Sequence, residues 1–227
     1  MGLGHAVVQR FRENGMFVQT CSRTGNTPTG VTKADVSWKQ DVDYLVNGVM
    51  KHWHRIDVLV CNAAVYGPVA PLEDTDWYKW VEAVNINLMG TVLPCRAVLP
   101  IMKRQGYGKI ITLSGGGVRP QPNCTAYNAS KAAVVRFTEC LASDLAGTGI
   151  DINAVAPGTL DTRMRLRSAL PDDPQAAMQK AVALIAWLAS SQSDGISGRL
   201  FSAVWDDWEH LGELSGDDYR MRRAVPA

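Results

Sequence analysis

Neither sign of charge is in excess: 23 Lys and Arg stand against 22 Asp and Glu, a formal net charge of +1. A field that weak draws in neither a nucleic-acid backbone nor an anionic lipid surface, so no nucleic-acid partner is expected. Cysteines are few, at positions 21, 61, 95, 124 and 140, an odd number with no Cys-x-x-Cys spacing. That argues against a disulfide framework or a zinc site and for a reducing, cytoplasmic setting. Long apolar runs are missing too. The longest, Ala181 to Ala189, falls far short of the roughly 20 residues that cross a bilayer. No charged segment followed by an apolar one opens the chain as a signal peptide would. No membrane association is expected. His52 and His54 would lie on different faces of a helix, poor geometry for a metal, and no metal site is expected.

What is present is an ordinary globular composition, 46% hydrophobic and 20% charged over 227 residues, which suits one α/β domain over residues 1–227. Apolar, β-rich runs alternate with helical patterns, the signature of βαβ units and a doubly wound parallel sheet. Helices are expected at about Gly4–Phe11, Lys39–His52, Thr75–Lys103 (with a division near Pro94), Thr125–Ala146 and Ala176–Ala189. Strands are expected at Met16–Cys21, Asp57–Cys61, Lys109–Leu113, Asp151–Val155 and Gly198–Val204. The nearly unbroken apolar character of Asp57–Cys61 is what burial on both sheet faces requires. Arg23–Thr32 is turn-rich and can hardly hold a helix.

One pattern carries chemistry: Tyr127-Asn128-Ala129-Ser130-Lys131. Residues four apart share a helix face, so the phenol and the ammonium can point into one cleft. A nearby Lys⁺ favours phenolate and is expected to lower the tyrosine pKa, making Tyr127 a usable acid/base. Alone, such a pair is common on protein surfaces. Its surroundings set it apart: the strand-and-turn Asp57-Val58-Leu59-Val60-Cys61-Asn62-Ala63-Ala64, the helical Val84-Asn85-Ile86-Asn87-Leu88-Met89-Gly90, a strand ending in Ser114, and Asn153-Ala154-Val155-Ala156-Pro157-Gly158 with Thr162 beyond.

In order and spacing these segments resemble the short-chain dehydrogenase/reductase family, whose pattern runs Asn-Asn-Ala-Gly, a helix Asn, Ser, Tyr-x-x-x-Lys and Pro-Gly. The resemblance runs from Gly2 to about Thr162. It implies a Rossmann-type fold and hydride transfer between a nicotinamide cofactor and a carbonyl or secondary alcohol. It also implies a small-molecule substrate and a homo-dimer or homo-tetramer. By resemblance, Tyr127 exchanges the proton with the substrate oxygen, and Lys131 holds the nicotinamide ribose. Asn87 anchors a relay water, with neighbouring Asn85 the lesser candidate; its plain alternative is a helix polar residue satisfying a buried carbonyl. Ser114 orients the carbonyl: counting back from Tyr127 gives Ser114, whereas counting along the strand puts Gly115 in that slot. Asn62, Ala63 and Ala64, Asp35 and Val36, and Pro157, Gly158 and Thr162 would line the cofactor. An acidic residue after the second strand would select NAD; Ser22 and Arg23 stand there instead, and they suit the extra phosphate of NADP in preference to NAD.

The pattern breaks at two places. Of the family's phosphate loop, Thr-Gly-x-x-x-Gly-x-Gly, only Gly2-Leu3-Gly4 remains after Met1, and neither the first strand nor the first glycine is in the sequence. Neighbouring strands would then lack partners in the middle of the sheet. Either the sequence is part of a longer protein or the protein is a degenerate member, and the retained catalytic residues favour the former. A non-catalytic binding protein that keeps the fold is the rival to an enzyme. The tail, with Trp205, Trp208 and Tyr219-Arg220-Met221-Arg222-Arg223, could be a lid, a subunit contact or an amphipathic helix packed on its own domain.

Overall fold

The computed structural model describes residues 2–25, 30–115, 121–160 and 171–208. In chain order they form α1 (Leu3–Glu13), β1 (Thr20–Ser22), β2 (Val31–Lys33), α2 (Lys39–Trp53), β3 (Val58–Cys61), α3 (Trp77–Val84), α4 (Gly90–Gln105), β4 (Gly108–Leu113), α5 (Thr125–Asp144), β5 (Ile150–Ala156), α6 (Pro174–Leu188) and β6 (Leu200–Ser202). Every described strand pairing is parallel, with Val60 opposite Ile111, Ile111 opposite Asn153, and Val155 opposite Phe201.

Helices cover both faces of β4 and β5, because alternate side chains of a strand point to opposite sides. Ile111 and Leu113 face a core with Leu3, Val7 and Phe11 of α1 and Leu184, Ile185 and Leu188 of α6. Ile110 and Ile152 face the other way, onto Cys95, Val98 and Met102 of α4. Caps fix several helix starts. Asp76 accepts from the N–H groups of Tyr78 and Lys79, and Asp173 accepts from Ala176 ahead of a first turn containing Pro174. Gly106, in the left-handed region at φ 67°, ends α4.

The described strands fall into two sheets. Among the described residues β1 pairs only with β2, and β3–β4–β5–β6 form a separate four-stranded sheet. This changes the expected burial of the apolar strand 57–61. Val58, Leu59 and Val60 are half-buried, while all six residues of β4 are buried. The difference is that β3 stands at an edge, not in the middle. The first strand is shorter than Met16–Cys21, and Val31–Lys33 within the turn-rich stretch makes a short strand against it.

The long helix divides at a π turn, Asn85–Met89, and not at Pro94, which lies inside α4. Over Trp77–Gln105 the helical run is long and apolar enough to cross a membrane by length and composition. Its buried face, including Cys95, Val98 and Met102, packs on the sheet core, which accounts for that apolarity. Trp208 packs on Trp187 at 5.7 Å between ring centroids, whereas Trp205 is exposed. Residues 219–223 lie outside the described residues.

Candidate active site

α5 carries Tyr127 and Lys131 one turn apart on its inward face, at 5% and 2% exposure. The first turns of α5 face the carboxyl end of β4, which places the Tyr127 hydroxyl against Gly115 and the Lys131 ammonium on Leu113. The Lys131 ammonium donates to the Leu113 carbonyl at 2.6 Å and lies 6.0 Å from the centroid of the Tyr127 ring. The expected lowering of the tyrosine pKa is not what the structure gives. Burial, then Tyr66 and Cys124, push the Tyr127 phenol above its ordinary value. Desolvation wins because Lys131 spends its short hydrogen bond on a backbone carbonyl instead of on the phenol.

Burial also pulls the Lys131 pKa down from 10.5 to about 8. The unfolded chain keeps that proton up to the ordinary lysine range, so between the two values the unfolded state binds more protons and stability rises with pH. Below about pH 8 the penalty is fully present. A Lys131→Met variant is therefore expected to melt above the parent near neutral pH, with the gap narrowing as pH rises through about 8 toward 10. Paired melting curves across that range test it; a gap independent of pH would contradict it.

Asn87 is fully buried in the π turn, a feature common at functional sites. Its Oδ1 accepts from the Val65 N–H at 2.8 Å, and its Nδ2 donates to the Val65 carbonyl and to Ser130 Oγ, each at 2.9 Å. Ser130 in turn donates to the Tyr127 carbonyl at 2.8 Å. Asn87 thus ties the loop after β3 to the helix carrying the tyrosine. It does not line the main cavity, whereas Tyr127 and Lys131 do.

Ser114 lies on the cavity wall at 4% exposure, and its buried Oγ has no hydrogen-bond partner. The Tyr127 hydroxyl abuts the next residue: a Cβ on Gly115 would overlap it. Gly115→Ala should therefore displace the phenol. A displacement of about 1 Å can lower turnover about 10²-fold, and steady-state turnover set beside an unchanged melting temperature is the check.

One cavity of about 2620 Å³ is lined by Gly2, Leu3, Gly4, Ser22, Arg23, Asp35, Val36, Asn62, Ala63, Ala64, Pro157 and Gly158. All the cofactor residues expected from the sequence reach it except Thr162, which lies outside the described residues. The wall suits a nicotinamide dinucleotide. α1 opens with Gly2 and no side-chain cap, leaving its first N–H groups for an anion. A Cβ on Gly4 would lie 2.7 Å from Asn62 Nδ2, so glycine lets the helix start press against that turn. Val36 packs on Gly90, and the Asp35 carboxylate accepts from Ser37 N and Oγ at 2.9 and 2.6 Å. Arg23 forms an exposed ion pair with Glu82 at 3.2 Å, a nonlocal contact that the sequence does not announce.

Sequence reading also missed Tyr66, whose ring lies 4.4 Å from that of Tyr127, and Ser130 as the bridge to Asn87. Ser130 sits inside the Tyr-x-x-x-Lys segment, the signal that could have drawn attention to it. For Tyr66 no spacing rule exists.

The short chain dehydrogenase family model matches residues 1–171. The chain belongs to the short-chain dehydrogenase/reductase family. It is by that membership an oxidoreductase of alcohol and carbonyl groups. It is 38% identical over 180 residues to the 2-(R)-hydroxypropyl-CoM dehydrogenase of Xanthobacter autotrophicus, covering 72% of each chain. It is 32% identical over 209 residues to a short chain dehydrogenase of Monascus purpureus, covering 87% of this chain and 71% of that one. Among solved structures it resembles a 3-ketoacyl-(acyl-carrier-protein) reductase from Brucella melitensis complexed with NADH. That match has a TM-score of 0.78 and 25% identity, over 88% of this chain and 91% of the other.

Proposed function

We propose that this short-chain dehydrogenase/reductase is an NADP-dependent enzyme that reduces a carbonyl or, in reverse, oxidises a secondary alcohol, with Tyr127 as its acid/base. The observation that carries the reading is the buried Tyr127–Lys131 pair on one helix face, opening onto a cavity with an uncapped helix start. The bound nicotinamide supplies or takes the hydride. Tyr127, held as the neutral phenol by burial, donates its proton to the carbonyl oxygen during reduction and regains it from Lys131 and the solvent beyond. Lys131 has donors to spare after Leu113 and is placed to hold the nicotinamide ribose. The unpartnered Oγ of Ser114 gives the substrate oxygen a buried polar contact, since buried hydroxyls normally have one. Asn87 fixes the loop at Val65 against Ser130 on the helix that carries Tyr127, a positioning role. Ser22 and Arg23 meet the extra phosphate of NADP once Arg23 leaves Glu82, an exposed pair of low worth.

A thermal-shift titration with NADPH and with NADH tests the reading. At about 100 times its dissociation constant a cofactor stabilises by about 2.7 kcal/mol, which for a chain of this size is a rise of about 5–11 °C. A larger rise with NADPH is expected. Cooperative melting with no shift from either cofactor would leave the non-catalytic reading, which the broken sheet favours.

A further inference from the structure

The end of β1 turns through a tight corner. The Oγ and the carbonyl of Ser22 both accept from the Gly25 N–H, at 3.0 and 3.2 Å. Gly25 takes φ 63°, and a Cβ there would lie 3.0 Å from that of Lys33, so the corner presses on β2. Arg23 leaves this corner on the wall of the main cavity and crosses to α3. There its Nη1 donates to Glu82 Oε1 at 3.2 Å, a partner 59 residues further along the chain. Glu82 lines a second cavity, of about 420 Å³, and Asp35 and Ile86 line both cavities. The ion pair therefore spans the partition between them. Asp35, on the same partition, directs Oδ1 to the Ser37 N–H and hydroxyl at 2.9 and 2.6 Å, which leaves Glu82 as the acid that holds the guanidinium.

Resting on the NADP reading, we propose that Glu82 is a specificity-determining residue, an internal anion that occupies Arg23 and so limits how strongly the site prefers a 2′-phosphate. A guanidinium fork suits a carboxylate and a phosphate alike, so the two anions compete for it. A phosphate that wins the arginine has to displace the carboxylate. One that shares the arginine sits beside a like charge. In either case Glu82 weakens the grip on the phosphate and leaves the rest of the cofactor untouched. The ribose of NAD is uncharged at that position and meets no such competitor. Both side chains are more than half exposed, 54% and 57%, so the effect is the few-fold one of a solvated pair, and salt reduces it. Glu82 acts through Arg23, which makes it a positioning residue for the cofactor and not a group that touches the reacting atoms.

The test measures dissociation constants for NADPH and NADH, by fluorescence titration at low ionic strength, for the parent, Glu82→Gln, Arg23→Ala and the double variant. Glu82→Gln removes the charge and keeps the side chain's size. It is expected to tighten NADPH about two- to five-fold, the range open to an exposed pair, and to leave NADH unchanged. Glu82→Ala, which removes the acceptor as well, should tighten NADPH at least as much. Arg23→Ala should weaken NADPH alone, and in that background Glu82→Gln should change neither cofactor. High salt should shrink the gain. Where the parent prefers NADPH and Glu82→Gln leaves the NADPH-to-NADH ratio as it was, the role of Glu82 falls and the cofactor reading stands. A parent that prefers NADH, or binds neither, overturns both. A gain that persists without Arg23 would assign Glu82 a general charge effect and overturn the proposal. So would a loss of NADH affinity, which would make Glu82 an acceptor for the ribose hydroxyls of NAD.

Discussion

Replacing Tyr127 by Phe is expected to lower turnover by about 10²–10⁴-fold, the usual worth of a positioned acid/base, with little change in cofactor affinity or melting temperature. The phenyl ring keeps the packing against Tyr66 at 4.4 Å and the volume in front of Gly115, so the pocket retains its shape. Only the hydroxyl goes, and with it the group proposed to exchange a proton at the cavity wall beside Lys131. Turnover is followed by NADPH absorbance with a panel of ketones, and affinity by thermal shift. Activity undiminished in the Phe variant would sink the assignment of the proton to this residue. Loss of cofactor binding together with activity would instead make Tyr127 a structural prop.

The largest effect on stability is expected at Lys109. Its ammonium is 1% exposed on β4 and donates at 2.7 Å to Asp151 on the neighbouring strand, with Asp194 at 2.7 Å on its other side. Asp151 also accepts from the Gly195 N–H at 3.0 Å, so the lysine joins β4, β5 and the loop after α6 at one point. Lys109→Met leaves the Asp151 carboxylate, whose side chain is 13% exposed, without its cation. Removing one partner of a buried pair destabilises by about 3–5 kcal/mol, and for a chain of this size that lowers the melting temperature by about 6–20 °C. Lys109→Met combined with Asp151→Leu should recover much of the loss, because replacing both members of a buried pair with apolar groups is often nearly neutral. A single variant melting within a degree or two of the parent would show that water screens the pair.

The order of the elements was legible because each is local. β4 reads as a buried strand from Lys109-Ile110-Ile111-Thr112-Leu113 alone, and α5 from the periodicity around Tyr127. The half-exposure of β3 was not legible, since burial depends on a neighbour and not on the strand itself. Nor was the π turn at Asn85–Met89, because one extra residue within a helix leaves no mark in composition. In the site, Tyr127, Lys131 and Asn87 could be placed by spacing, and the structure brings the first two together at the cavity wall. The choice between Ser114 and Gly115 turned on a single residue of register. The structure puts the Tyr127 hydroxyl against Gly115 and leaves the Ser114 hydroxyl buried and unpartnered. The Arg23–Glu82 pair, between residues far apart in sequence, was beyond any local reading.

The π turn gives the long helix two independent orientations. A regular helix turns about 100° per residue, so the extra residue within Asn85–Met89 sets the side chains of α4 about a quarter-turn from where α3 alone would aim them. Trp77 and Tyr78 thereby face solvent while Cys95, Val98 and Met102 face the sheet. Deleting Leu88 would leave a helix of good propensity, yet one end would have to face the wrong way. Length in this segment is therefore constrained more tightly than identity: substitutions at its surface can accumulate, whereas a change of one residue in its count cannot be absorbed at either end.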